Sequence, residues 1–251
     1  MPFIRIAALN VRAGGTRVKL DALLERALAQ QACVYVFSEF RDTPSGERIR
    51  SILEGAGHKF QAYSSGHRGN GVLVASAIPF EPIYNPAGLP EDSYPHAMIE
   101  CVFPDWHLIG CYLPGQDRKR PHLSYLIRYA QAINERNLAA MAIGDLNSGR
   151  NETDIEANLG RTRLADEFST ATLYGLLERH WTEAWLYEHP GETEFSWYPR
   201  MGPPLRKNGW RLDKAFLSNA LLPRLRGAFY DHTFRLDALT DHSALVVDLE
   251  R

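Results

Sequence analysis

The sequence predicts an α/β fold built on mixed β-sheet. Three observations predict it. Apolar runs of strand length recur along the whole chain, amphipathic helical stretches lie between some of them, and other runs are joined by short loops. Short loops give antiparallel neighbours and helical crossovers give parallel ones, so their alternation fits a mixed sheet better than a purely parallel one.

In chain order, Phe3–Asn10 alternates apolar and polar residues and reads as the first strand. Residues 18–30 place Leu20, Leu23, Leu24, Ala27 and Leu28 on one stripe at helical spacing. Strands are then expected at 33–38, 59–64 and Gly71–Ser76. Residues 96–103 and 106–113 form two more, paired around Pro104-Asp105. A helix over 121–136 opens with Pro121 in its first turn, where a missing N–H costs nothing. A strand follows at 139–144. Residues 147–167 form the longest irregular stretch, too long for a structureless loop and therefore expected to be functional or partly helical. Ser169 is the expected N-cap of a helix over 170–179, and strands at 211–218 and 244–249 complete the chain. No solenoid-period repeat, low-complexity tract or Ser/Gly linker interrupts the pattern.

The 251 residues, 45% of them apolar, suit one domain spanning 1–251 with a sizeable core, because single α/β domains often reach about 250 residues. A charged fraction of 23% excludes a fibrous or disordered chain. No apolar run approaches the roughly 18 residues that span a bilayer, so no membrane partner is expected. Met1-Pro2-Phe3-Ile4-Arg5-Ile6 has no basic leader and enters the alternating pattern at once, an expectation of cytoplasmic location. Cys33, Cys101 and Cys111 sit in apolar stretches without a CxxC pair and are read as buried free thiols.

The net charge of −2 neither demands nor forbids a polyanionic partner, but the charges are unevenly spread. Between Arg200 and Arg226, seven basic residues face one acid, Asp213, whereas 89–117 contains no Lys or Arg and is followed by Arg118-Lys119-Arg120. Taken alone, such runs read as solvated faces.

Polar residues at the ends of apolar strands carry the chemistry, because a core gains nothing from them and sheet rims are where sites are built. Asn10, Glu39, Tyr112, Asp145 with Asn147, and Asp241-His242 occupy such ends, and Asp213 begins a further strand. One carboxylate there is ordinarily a turn or cap residue. Glu39, Asp145, Asp213 and Asp241 converging on one site would need a cation or protons to offset their repulsion, and carboxylate with amide oxygens is a hard ligand set suited to Mg²⁺, or to Mn²⁺.

Eight segments, in this order, resemble the endonuclease/exonuclease/phosphatase superfamily: Leu9-Asn10-Val11-Arg12, Ser38-Glu39, Gly69-Asn70-Gly71-Val72-Leu73, Tyr112-Leu113-Pro114-Gly115, Gly144-Asp145-Leu146-Asn147, Phe195-Ser196-Trp197, Gly209-Trp210-Arg211-Leu212-Asp213 and Thr240-Asp241-His242. Each is weak alone and the set is strong. The last aromatic segments resemble the exonuclease III and abasic-site endonuclease branch. The resemblance implies a four-layered α/β sandwich, two packed mixed β-sheets flanked by helices, with a metal-dependent phosphodiesterase site at the strand ends. It also implies roles. Glu39 would be the principal metal ligand, with Asn10 beside it and Asp241 as a further metal or water-network ligand. Asp145 would align and deprotonate the attacking water or protonate the leaving oxygen, and Asn147 would orient the phosphate. His242, held in its tautomer by Asp213, would touch the scissile phosphate, and Tyr112 would donate to the phosphate or the leaving oxyanion.

The physical requirements agree, since hydrolysing a phosphodiester needs an oriented water, neutralised non-bridging oxygens and a stabilised leaving oxygen. One departure stands out. Many exonuclease III-type members carry Asp or Asn two residues after the first Asn, where this chain has Arg12, nearer the pancreatic-type deoxyribonuclease pattern. Arg12 is expected to bind a substrate phosphate and puts a second metal site in doubt. Trp197, Trp210 and Leu212 match positions that wall a pocket for an extrahelical abasic sugar, where the bland alternative is core packing. With that pocket bracketed by the basic run, Arg206 and Lys207 become phosphate-binding candidates, and His67-Arg68 lie in a Gly-rich loop able to reach DNA.

The reading is a monomeric, Mg²⁺-dependent DNA phosphodiesterase of exonuclease III type, cutting 5′ to abasic sites or removing nucleotides from 3′ ends of double-stranded DNA. One rival is a general deoxyribonuclease or a phosphodiesterase acting on a non-DNA phosphoester, which Arg12 favours and the Trp197/Trp210 pair opposes. The other is a non-catalytic nucleic-acid-binding module, against which stands the retention of the whole water-activating set.

Overall fold

A computed structural model describes residues 3–64, 69–150, 153–156, 168–199 and 208–251. The first half of the chain runs β1 (Phe3–Asn10), α1 (Arg17–Ala29), β2 (Val34–Phe40), α2 (Pro44–Gly55), β3 (Phe60–Tyr63), β4 (Gly71–Ser76), β5 (Glu81–Tyr84), β6 (Met98–Val102) and β7 (His107–Tyr112). The second half runs α3 (Arg120–Glu135), β8 (Ala140–Asp145), α4 (Ala171–Leu177), β9 (Thr182–Glu183), α5 (Ala184–Glu188), β10 (Asp213–Leu217), β11 (Leu225–Asp231), α6 (Thr233–Leu236) and β12 (Ala244–Glu250).

The strands form two six-stranded mixed sheets, ordered β11-β12-β1-β2-β4-β3 and β5-β6-β7-β8-β10-β9. Each has one parallel pair near its centre, β1 with β2 and β7 with β8, and each parallel crossover carries a helix, α1 or α3. Period-2 alternation then divides every central strand between two cores. Ile4, Ile6 and Ala8 of β1, Val72 and Val74 of β4 and Met141 and Ile143 of β8 meet between the sheets. Ala7, Leu9, Leu73 and Ala75 turn outward onto Leu20, Leu24, Ile49 and Leu53 of α1 and α2. On the other side Ile109, Ala142 and Phe216 pack against Leu123, Leu126, Tyr174 and Leu177 of α3 and α4. Helices, sheet, sheet, helices are the four layers that the resemblance implies. The sheets approach closely at Gly110, where a Cβ would lie 2.9 Å from Val72 Cγ1.

Several elements depart from the sequence expectation, each for a local reason. Helix α2 opens Pro44-Ser45-Gly46, which reads as a loop, yet Thr43 Oγ1 caps it by accepting from Gly46 N–H at 3.4 Å and Pro44 occupies its first turn. Strand β5 is a mostly exposed edge with Pro82 inside it, so it has no apolar face to betray it. The N-cap of α4 is Thr170, not Ser169, whose hydroxyl donates instead to Asp117 Oδ1 at 2.8 Å. Cys101 and Cys111 are buried free thiols as expected, but Cys33 is only half-buried.

The basic run also resolves differently. Arg211 and Lys214 are fully buried rather than solvated: Arg211 pairs with Asp154 and, at 2.8 Å, with Glu183, and Lys214 Nζ lies 3.0 Å from Asp154 Oδ2. Arg224 and Arg226 pair with Asp105 and Glu250. Arg206, Lys207 and His67-Arg68 lie outside the described residues. Among those residues no helix is long and apolar enough to cross a membrane.

Candidate active site

The C-terminal ends of β1, β2, β7 and β8 and the start of β10 and β12 converge on one rim. There Glu39, Tyr112, Asp145, Asn147, Trp197, Trp210, Leu212, Asp241 and His242 line a cleft of about 420 Å³. Backbone irregularities aim the polar ones. Glu39 sits in a β-bulge, with register slipping between Ser38 and Phe40, and at φ +55° its side chain is turned out of the ladder. Gly144, at φ +137°, brings β8 so close to β7 that a Cβ would lie 2.2 Å from Cys111 O, and the next residue, Asp145, is thereby delivered opposite Asp213. Asn147 adopts φ +46°, a left-handed conformation that Asn tolerates.

The sequence-predicted polar residues form a connected network. Buried Asn10 donates from Nδ2 to Glu39 Oε1 at 3.2 Å and Asp145 Oδ2 at 3.0 Å. Tyr112 OH donates to the same Glu39 oxygen at 3.2 Å. Asp145 Oδ1 accepts from Asn147 N–H at 3.0 Å, and Asn147 Nδ2 is tied to Leu113 O at 2.9 Å. His242 donates from Nδ1 to Asp213 Oδ2 at 2.8 Å, and its Nε2 lies 4.0 Å from Asp145 Oδ2. Asp241 accepts from Trp197 Nε1 at 3.1 Å and pairs with Arg12 Nε at 3.4 Å. Arg12 is therefore engaged with a carboxylate, which the sequence did not anticipate.

Burial and charge set the protonation states. Burial, reinforced by the charge of Asp213, pushes the Asp145 carboxyl well above the usual carboxylate range, against the opposing pull of His242, Asn10 and Asn147 N–H. Burial alone would depress His242, but Asp213, through charge and hydrogen bond, with Asp145 and Asp241 behind it, outweighs burial and pushes the imidazolium up to about 9. Burial and the charge of Glu39 push the Tyr112 phenol up, so it stays a neutral O–H donor.

The aromatic residues make the other wall. Trp197 and Trp210 meet edge to face with centroids 6.0 Å apart, and Trp210 also meets Phe168 edge to face at 5.1 Å. With buried Leu212 and Ile155 they form a small apolar cluster that is partly open to the cleft. Both indole N–H groups are satisfied, by Asp241 and by Asn208 Oδ1 at 3.0 Å.

The donor set fits a hard divalent cation. Glu39 Oε2 has no hydrogen-bond partner among the described residues, and neither has the buried Asp213 Oδ1. Asp145, Asp213 and His242, with ligand atoms within 4.8 Å of one another, form a buried cluster able to hold a metal ion, although His242 Nδ1 already spends its proton on Asp213.

Sequence reasoning missed the supporting residues. Lys119, expected on a solvated face, is buried and donates from Nζ to Asn147 O; burial pulls its ammonium down to about 8 despite the nearby charge of Asp145. Asn70 Nδ2 donates to Tyr112 OH at 3.4 Å, Thr240 Oγ1 donates to Asn10 O at 2.8 Å, and Ser196 Oγ accepts the N–H groups of Leu212 and Asp213. Asn70, Thr240 and Ser196 all lie inside the quoted motifs, which was the available sign.

The model of the Endonuclease/Exonuclease/phosphatase family matches residues 7–242. DNA repair nuclease APEX1 of Danio rerio is 29% identical over 182 residues, covering 67% of this chain and 58% of that protein, so the chain spans little more than half the length of that relative. An AP endonuclease from Archaeoglobus fulgidus superposes with a TM-score of 0.78 at 20% identity, covering 99% of this chain and 100% of that one. The 3′-5′ exonuclease NExo from Neisseria meningitidis superposes with a TM-score of 0.80 at 18% identity, covering 98% and 100%. A structure of the 3′ phosphatase NExo from Neisseria bound to a product DNA hairpin gives 0.78 at 17% identity, covering 99% and 100%.

Proposed function

Because the chain belongs to the Endonuclease/Exonuclease/phosphatase family, we propose that it is a Mg²⁺-dependent DNA phosphodiesterase of exonuclease III type, cutting 5′ to abasic sites or trimming 3′ ends. The observation that carries the reading is the buried Asp213–His242 pair, 2.8 Å apart, facing a carboxyl at Asp145 that burial has made basic enough to exchange protons near neutrality.

Glu39 would hold the cation, with Asn10 beside it and Asp241 as a further ligand. When bound, that ion neutralises a non-bridging phosphate oxygen and polarises phosphorus. Asp145, braced by Asn10 and Asn147 N–H, takes the proton from an attacking water or returns one to the leaving oxygen. His242 enters as the imidazolium, its positive charge held by Asp213 against a phosphate oxygen. Tyr112 donates its O–H to the phosphate or the leaving oxyanion, and Asn147, fixed by Leu113 O and Lys119, orients the phosphate. The apolar wall of Trp197, Trp210 and Leu212 accepts a base-less sugar and excludes a nucleotide that keeps its base.

The test is cleavage of a labelled duplex with one abasic analogue beside the same duplex without it, each with Mg²⁺ and with EDTA. Metal-dependent incision at the lesion alone is expected. Cleavage of both duplexes would replace the lesion-specific reading with a general nuclease, and cleavage of neither would move the substrate to a non-DNA phosphoester.

A further inference from the structure

Trp210 walls the cleft, but its side chain is set by residues outside the cleft lining. Its backbone exchanges two hydrogen bonds of 2.8 Å with Trp197, and single antiparallel bridges run from Ile155 to Trp210, from Trp210 to Trp197 and from Trp197 to His242. Those bridges fix where the residue sits and leave its side-chain torsions open. The indole is tied separately, through Nε1, to Asn208 Oδ1 at 3.0 Å.

Asn208 is held in turn. Its backbone takes φ +112°, a region that favours glycine, and a non-glycine residue keeps such a conformation only where its surroundings over-determine it. Here one carboxylate oxygen does so. Glu156 Oε2 accepts the N–H of Asn208 at 2.7 Å and that of Gly209 at 2.9 Å, and Glu156 N–H donates back to Gly209 O at 2.8 Å. Gly209 is confined from the other side, since a Cβ there would lie 2.6 Å from Tyr198 Cζ and 2.8 Å from Phe195 Cβ. The segment that carries Glu156 is itself anchored: Arg211 N–H donates to Asp154 O at 2.8 Å, and the Asp154 carboxylate is paired with buried Arg211 and Lys214.

We propose that Glu156 is a positioning residue that sets specificity, clamping the Asn208-Gly209 turn so that Asn208 locks the Trp210 indole as a wall of the pocket before substrate arrives. The proposal rests on the abasic-site reading above. A wall locked beforehand separates a base-less sugar from a nucleotide that keeps its base by shape, whereas an indole free to rotate would make room for either.

The test pairs a readout of the indole with one of specificity. With fluorotryptophan incorporated, fluorine NMR of the substrate-free protein resolves the five tryptophans, and Trp210→Phe identifies the Trp210 line. Glu156→Ala removes the clamp, and Glu156→Gln keeps an oxygen able to accept both N–H groups. Asn208→Gly keeps the turn, which glycine adopts without strain, and removes the acceptor of the indole. In Glu156→Ala and Asn208→Gly the Trp210 line should shift or broaden while those of Trp106, Trp181 and Trp185 stay in place. In the same two variants kcat/KM on the abasic-analogue duplex should fall about tenfold, with no matching fall on the undamaged duplex. Glu156→Gln should hold both readouts within about twofold of the unmodified protein. An unmoved Trp210 line in both variants, a moved line with unchanged kcat/KM, equal loss on both duplexes, or a Glu156→Gln that behaves as Glu156→Ala would each overturn the proposal. If Glu156→Ala moves all five lines it has lost its fold, and Asn208→Gly with Glu156→Gln then decides. An unmodified protein that leaves the abasic duplex uncut removes the abasic-site reading and the specificity role together, and the Trp210 line alone then reports whether the clamp exists.

Discussion

Asp213→Asn isolates the charge that keeps His242 protonated. The amide oxygen still accepts from Nδ1, so the ring stays oriented, but the buried negative charge 2.8 Å away is gone. His242 stands near 9 against an ordinary 6.5, which corresponds to about 3 kcal/mol in favour of the imidazolium. Burial acts in the opposite direction, so without Asp213 the ring should fall well below 9, with Asp145 and Asp241 left as its only raising charges among the described residues. At pH 7.5 the unmodified site is then mostly protonated and the variant much less so. Single-turnover incision of the abasic duplex, followed from about pH 5.5 to 9.5, should show a roughly tenfold or larger loss at pH 7.5 that recovers as the pH falls below about 6.5. Denaturation gives an independent reading. A raised folded pKa contributes stability that is complete below about 6.5 and is lost as pH rises through about 9, so the unmodified protein should lose up to about 3 kcal/mol across that window and His242→Gln should flatten the slope. Superimposable pH–rate and pH–stability profiles for Asp213→Asn and the unmodified protein would refute the assignment.

Glu39→Gln should raise the Mg²⁺ concentration needed for half-maximal incision by about tenfold or more, and an unchanged requirement would take Glu39 out of the metal site. Trp210→Ala should lower incision at abasic sites by about tenfold or more relative to other DNA substrates, whereas equal loss on all substrates would make Trp210 merely structural. Replacing Arg206 and Lys207 together should reduce the slope of log affinity against log salt by about 2, and an unaltered slope returns both to the solvated surface. Asp154→Asn leaves Arg211 and Lys214 buried with a partner lost and should cost about 3–5 kcal/mol in urea denaturation, so a loss under about 1 kcal/mol would show that the network is not holding β10.

The fold class was legible because the central strands are buried on both faces. Ile6 to Leu9, Val34 to Phe37 and Ala140 to Ile143 are apolar without interruption, and the sheet edges escaped notice because β5 is mostly exposed and β9 is only two residues long. The site was legible for the opposite reason: Asn10, Glu39, Asp145 and His242 are polar where the core pattern demands apolar residues. Charge could not be assigned to surface or interior from composition. Lys119 and Lys214 look like any solvated lysine in the sequence, and only the fold sets one against Asn147 O and the other against Asp154. Likewise nothing local to Arg12 reveals that Asp241, 229 positions on, lies within pairing distance, because β1 and β12 become neighbours only when the first sheet closes.

The charges of the cleft bear on the proposal that Glu39 would hold a cation. Four carboxylates, Glu39, Asp145, Asp213 and Asp241, surround a site that on the proposed reading would admit an anionic phosphodiester, and two like charges about 4 Å apart repel by several kcal/mol at an effective dielectric near 20. Three of the four are compensated by the protein itself. Asp213 is matched by His242, Asp241 by Arg12 and the Trp197 N–H, and Asp145 is driven toward its protonated form. Among the described residues Glu39 receives only neutral donors, Asn10 and Tyr112, both on Oε1. On the proposed reading Glu39 would hold the cation that offsets its repulsion of the phosphate. Within that reading, the His242 imidazolium held by Asp213 would supply positive charge from the protein itself and an ion held by Glu39 would supply the rest.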